Sequence, residues 1–136
     1  MAGYSGTPLP QKLGIKENHQ VAILGAPADF AKTLGALPTG AAVTTKATGK
    51  ALYDVFVVFV NKRADLVAAI AKLRKHMQPA AGLWIAWPKK SSGVTTDITE
   101  DTIREVALPT GLVDNKVCAI DETWSGLRLV IRRANR

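Results

Sequence analysis

The densest set of anion-binding groups in this chain is Lys89-Lys90-Ser91-Ser92-Gly93. Two ammonium groups, two hydroxyls and the amides of a loop ending in glycine are donors suited to a phosphate or carboxylate. The plainer reading of the same residues is a solvated basic turn. A second grouping, Asp121-Glu122 with Trp124, sets two carboxylates beside an indole and would suit a small-molecule clamp or a partner contact. Its alternative is a turn whose Trp124 packs on its own sheet and whose acids pair with Lys89 or Lys90. Gly25 and Pro27 interrupt one apolar segment, Asn61, Lys62 and Arg63 follow another, and Trp87 stands just before the lysine loop. Trp84 and Trp87 are three residues apart, so they face opposite ways in a strand. One of them belongs to the core, and Trp87 is the better pocket wall.

Several chemistries lack their residues. There is no Gly-x-Ser-x-Gly elbow and no Gly-x-x-x-x-Gly-Lys phosphate loop. His19 and His76 are isolated and have no cysteine partners or Glu-x-x-His spacing, so no metal is expected. Cys118 reads as a core thiol in mid-strand, with nothing nearby to lower its pKa. Asp97-x-x-Glu100 resembles a carboxylate pair, but helix capping accounts for it. The net charge of +7 gives a basic surface that is either merely solvated or attractive to phosphates. No aromatic residues interleave with the basic ones, so a nucleic-acid platform is weakly supported.

These residues need a scaffold, and composition allows one. The 136 residues, 47% of them apolar, can bury one core in a single domain, residues 1–136, with residues 1–19 as a lead-in segment. No apolar run approaches the roughly 20 residues of a membrane span, the first ten residues do not read as a signal peptide, and a lone cysteine fits a reducing, cytoplasmic setting.

Periodicity predicts a helical turn near residues 9–13, a strand over 20–24 and a short helix over 28–34. Pro27 should sit in the first turn of that helix, and Gly35 should end it. A weak strand follows at 41–45, then a turn at 48–50. The strongest strand, 55–60, is apolar on both faces, as a central parallel strand is when helices cover both its sides. Leu66, Ile70, Leu73 and Met77 mark one face of a helix over 64–77, stopped by Pro79 and Gly82. A strand over 83–87, a polar loop, a helix over 100–108 capped by Asp97 or Thr99, and a hairpin of strands 113–120 and 127–132 complete the order. This is an α/β chain with a three-layer, mostly parallel sheet and a C-terminal antiparallel hairpin.

In such a sheet, ligands bind beyond the carboxyl ends of the strands. The candidate site therefore gathers Gly25, Pro27, Asn61, Lys62, Trp87, Lys89, Lys90, Ser91 and Ser92, with Glu122 and Trp124 added if strand 113–120 runs parallel to the others. The hairpin should close one side of the sheet and the 41–45 strand the other. Any homodimer is expected through the longer, more apolar hairpin side.

This order of elements resembles the Rossmann-like methyltransferase fold with one strand–helix unit missing. The resemblance is carried by Asp54 before a central strand, the helix through Leu73, and Gly82-Leu83-Trp84-Ile85. Four phrases also resemble a family of short bacterial proteins designated only as a domain of unknown function: Gly3-Tyr4-Ser5-Gly6-Thr7-Pro8-Leu9, Trp87-Pro88-Lys89-Lys90, Thr96-Asp97-Ile98-Thr99-Glu100-Asp101 and Asp121-Glu122-Thr123-Trp124-Ser125-Gly126-Leu127. Methyltransferases of this fold carry a Gly-x-Gly turn after the first strand and an acidic residue ending the second. Here Leu24-Gly25-Ala26-Pro27-Ala28 has one glycine, and the second strand runs into Thr44-Thr45-Lys46. The resemblance therefore implies the scaffold with the cofactor turn degraded and no cofactor expected. The leading expectation is a non-catalytic binding or regulatory module that takes a small anionic ligand. The alternative is a small transferase-type enzyme working in the same crevice.

Overall fold

A computed structural model of the chain describes residues 7–136, so residues 3–6 of the first resembling phrase lie outside the described part. In chain order the elements are α1 (Leu9–Lys12), β1 (Gln20–Leu24), α2 (Phe30–Leu34), β2 (Ala42–Thr44), β3 (Tyr53–Phe59), α3 (Arg63–Leu73), β4 (Met77–Pro88), α4 (Glu100–Ala107), β5 (Leu112–Ala119) and β6 (Trp124–Ile131). The six strands form one sheet in the order β2-β1-β3-β4-β6-β5. The first four are mutually parallel, and β6 is antiparallel to both β4 and β5. β5 thus runs with the parallel strands, and the turn between β5 and β6 lies at their carboxyl end. β2 and β5 are the edges, and Val117 on β5 is 55% exposed.

Strand alternation divides the core between the two faces. Phe56 and Val58 of β3 point to the α3 and α4 side, where they join Leu66, Ile70, Leu73, Ile103 and Ala107. Val55, Val57 and Phe59 point to the other side, with Leu13, Phe30 and Leu34. Trp84 and Trp87 also divide this way: Trp84 is in the second cluster and Trp87 in the first.

Four local expectations are corrected. The helix expected over 64–77 ends as α-helix at Leu73 and closes with a 3-10 turn, Arg74–His76. Met77 keeps the apolar spacing but is already the first residue of β4. Pro79 and Gly82 lie inside that strand and stop no helix. The register passes from Tyr53↔Met77 to Val55↔Gly82, so residues 78–81 bulge opposite residue 54, and a proline is tolerated where ladder bonds are interrupted. α2 begins at Phe30, not residue 28, and Pro27 precedes it as the acceptor of a turn from Phe30 N (3.0 Å). β6 begins at Trp124, so the residues expected in the turn, 124–126, are strand, paired with 86–88 of β4.

Thr99 is the N-cap of α4, in a reciprocal box with Thr102. Asp97 serves the other helix: its Oδ1 accepts from the backbone N of Arg63 at 2.6 Å, in the first turn of α3. The 89–99 connection is thereby fixed to the start of α3. A carboxylate that accepts from a first-turn N–H contributes, as N-cap side chains do, about 1 kcal/mol. Asp97→Ala is expected to lower the melting temperature by a few degrees while leaving the far-ultraviolet circular dichroism spectrum unchanged. An unaltered melting curve would show that the contact contributes nothing.

Candidate functional site

The site begins where β1 ends. Gly25 has φ 69°, and a Cβ there would lie 2.9 Å from the carbonyl oxygen of Phe59. The turn leaving β1 therefore passes hard against the end of β3, and only glycine allows both the approach and the left-handed backbone. Gly25→Ala is expected to cost about 1–3 kcal/mol, read as a lower urea midpoint. A neutral result would mean that the turn can move away from β3.

Past Gly25 the chain turns through Ala26 and Pro27 into α2, whose first residue, Phe30, is buried. Its ring meets Phe59 edge-on (centroids 4.9 Å apart), and Phe59 meets Trp124 edge-on (5.0 Å). Such geometries place a ring edge on a neighbouring π face and add to the burial energy of each ring. Three elements distant in sequence thus join an aromatic stack across the carboxyl end of the sheet.

Beside the stack lies a cavity of about 520 Å³ between the β1–α2 turn and the end of β2, bounded by Ile23, Gly25, Pro27, Phe30, Val43 and Thr45 among others. No charged side chain lines it among the described residues. At the end of β2, Thr44 Oγ1 donates to the carbonyl of Lys46 (3.1 Å) and accepts from its N–H (3.3 Å). The hydroxyl at the end of β2 is thus turned onto its own backbone.

The other sequence-derived residues share this end of the sheet, but only Gly25 and Pro27 line the cavity. Asn61 and Lys62 follow β3 and are exposed. The carbonyl of Asn61 accepts from Thr96 Oγ1 (2.8 Å), and Lys62 is the N-cap residue of α3. Trp87 is 8% exposed and packs in the α3 and α4 core; it does not line the cavity.

The loop over 89–93 spends much of its bonding capacity on itself. Lys89 N donates to the carbonyl of Thr123 (2.7 Å), and both the N and the Oγ of Ser92 donate to the carbonyl of Lys89 (3.0 and 2.6 Å). The side chains of Lys90 and Ser91 remain exposed. Asp121 Oδ1 accepts from the N–H groups of Thr123 and Trp124 (2.8 Å each), which closes the hairpin turn. Glu122 is exposed. No ion pair joins either acid to Lys89 or Lys90 among the described residues.

Phe30, Phe59, Leu37 and Val43 were not legible as site residues, because each reads locally as an ordinary apolar position. The one available signal was Gly25, whose close approach implies a neighbour at the end of a paired strand. Cys118 is half-buried, and burial pushes its thiol pKa up despite Lys12 and Lys116, so the thiolate is disfavoured. His76 is buried with Nδ1 2.7 Å from the carbonyl oxygen of Ala51. Among the described residues no group of three or more His, Cys, Asp or Glu is placed to hold a metal ion, and no helix is long and apolar enough to cross a membrane.

The sheet order, the two helical layers and the terminal hairpin are those of the Rossmann-like methyltransferase class. The chain is similar in structure to a SAM-dependent methyltransferase from Aquifex aeolicus, with TM-score 0.63 and 13% identity, covering 89% of this chain and 87% of that one. It is similar to a putative type 11 methyltransferase from Sulfolobus solfataricus, with TM-score 0.62 and 12% identity over 91% and 89% of the two chains. It is also similar to the ribosomal protein L11 methylase of Lactobacillus delbrueckii subsp. bulgaricus, with TM-score 0.60 and 13% identity over 92% and 76%. At such identities the likeness is one of fold. By sequence, the chain belongs to the family described as Protein of unknown function (DUF3052), which matches residues 10–133. No curated protein matches it.

Proposed function

We propose that this chain is a non-catalytic binding or regulatory module on a methyltransferase-like scaffold whose cofactor crevice has been rebuilt. The observation that carries this reading is the aromatic stack of Phe30, Phe59 and Trp124 beside a single-glycine turn. In a nucleotide-binding α/β sheet the turn after the first strand leaves room for a ligand against the backbone. Here Pro27 and Phe30 line the approach, and the cavity there offers no carboxylate for ribose hydroxyls or for an ammonium group. A ligand in that cavity would have to be mainly apolar. An anion would instead be met outside the cavity, by the loop of Lys89, Lys90 and Ser91 that follows β4.

Calorimetric titration with S-adenosylmethionine and S-adenosylhomocysteine tests the reading. No saturable heat is expected at concentrations up to about 1 mM, corresponding to less than about 4 kcal/mol of binding. A micromolar Kd for either would overturn it.

The open cavity beside Gly25 favours one second reading, a small transferase that holds a cofactor in a different pose. Lys89, Lys90, Glu122 and Trp124 would be its working residues, and it predicts that micromolar affinity.

A further inference from the structure

We propose that a second cavity, at the amino-terminal ends of β1 and β3 between α1 and the β5–β6 hairpin, is a binding site for a small phosphorylated molecule held chiefly by Arg128 and Lys116. The site lies at the opposite end of the sheet from the crevice and does not depend on how the crevice is read.

The cavity measures about 370 Å³, and the residues lining it include Lys12, Lys16, His19, Asp54, Lys116 and Arg128. Arg128 pairs in register with Trp84 on β4 and with Lys116 on β5. It therefore lies on the same sheet face as Trp84, beneath the α1 and α2 layer. Gly82, two residues before Trp84, shares that face, and a Cβ on Gly82 would overlap Arg128 Nε. The missing side chain is what lets the guanidinium lie down across β4 towards β3.

The guanidinium so placed is half-buried, yet it makes no hydrogen bond or ion pair with any described residue. None of its nitrogens is sealed from solvent, so its five donors are open to water or to a ligand in the cavity. Burial, and secondarily the charge of Arg136, push its pKa down. An anionic oxygen pair entering the cavity would supply the partner that the chain does not.

The rest of the lining suits such a partner. Besides Lys12, the lining residues Lys16, Lys116 and Arg128 stand against one carboxylate, a formal excess of two positive charges. That carboxylate is already engaged, since Asp54 Oδ2 accepts from Gln20 N at 2.8 Å. His19 Nδ1 accepts from Lys16 N at 3.1 Å, so a neutral His19 ring carries its proton on Nε2 and can donate it. Lys12 Nζ reaches the carbonyl of Ala119 at 3.4 Å, which tethers α1 to the end of β5. The volume is near the lower limit of about 300–1,000 Å³ for small-molecule sites. It accommodates a phosphomonoester or a pyrophosphate-sized group, and not a nucleic-acid strand, which needs an extended groove.

Calorimetry at constant ionic strength, with inorganic phosphate, pyrophosphate, adenosine monophosphate and adenosine as probes, tests the assignment. Pyrophosphate and the monophosphate are expected to bind with sub-millimolar Kd and adenosine not at all. Lys116→Gln, at an exposed position that does not threaten folding, and Arg128→Met should each weaken that binding by about tenfold or more. Absence of saturable binding by every phosphate probe overturns the proposal, as does affinity unchanged in both variants. Binding only to a short oligonucleotide, with affinity falling steeply as salt rises, overturns it in favour of a nucleic-acid surface. Neither variant touches the crevice, so failure here leaves the reading of that site intact.

Discussion

Trp84→Ala is expected to unfold the domain under conditions where the unsubstituted chain is stable. Trp84 is fully buried at the centre of β4, among Leu13, Val57 and Ile120. Its Nε1 donates to the carbonyl of Leu13 at 2.9 Å, which secures the segment after α1 to the sheet. The six-membered ring lies over Gly126 of β6, where a Cβ would be 3.1 Å from Trp84 Cε3. One side chain thus joins the N-terminal segment, the central strand and the hairpin. Removing a buried tryptophan costs about 3–5 kcal/mol, a large part of the 5–15 kcal/mol typical of a whole domain. Trp84→Phe retains most of the packing and leaves the Leu13 carbonyl unsatisfied, at about 1–3 kcal/mol. Urea denaturation followed by circular dichroism orders the three proteins. An alanine variant within 1 kcal/mol of the parent would show that the segment is held by something else.

Phe59→Ala should have the next largest effect. Phe59 is the middle ring of the stack, 7% exposed between Phe30 and Trp124. Its loss is expected to cost about 3–5 kcal/mol and to extend the neighbouring cavity towards Trp124. The enlarged space would still be apolar, so the variant should gain affinity for an uncharged probe such as benzene and none for S-adenosylhomocysteine. Fluorescence of Trp124 and the urea midpoint report the two effects. A variant as stable as the parent would mean that the rings are neighbours without being a structural unit.

Much of the scaffold was legible because its signals are local. The 55–60 run is apolar at every position, which identifies a strand covered on both faces, and β3 lies at the centre of the sheet. Gly35 ends α2 with φ 77°, as a glycine placed after a short apolar helix should. The end of α3 was obscured because Met77 continues the helical spacing of Leu66, Ile70 and Leu73, while its burial comes from β4. Pro79 argued for a break, and only the register across β3 shows a bulge.

The site was less legible than the fold. Chain direction alone brought Gly25, Asn61, Lys89 and Glu122 to one end of the sheet. Which of these residues face a cavity depended on tertiary packing: Trp87 is turned into the other core, and Phe30 and Phe59 meet only because α2 folds back over β3. Arg128 carried no sequence signal, since an arginine in an amphipathic strand reads as solvent-facing. Its position depends on Gly82, in a strand to which β6 pairs 46 residues later in the chain, counting from Gly82 to Arg128.

On the proposed reading, the crevice after β1 does not take up the methyltransferase cofactor. Residue-resolved ¹H–¹⁵N chemical shifts, recorded while S-adenosylhomocysteine is added to the ¹⁵N-labelled protein, test it most directly. The account predicts that the amides of Gly25, Ala26, Ala28 and Thr45 and the indole N–H of Trp124 stay in place through about 1 mM ligand. Saturable shifts concentrated at those residues would contradict it.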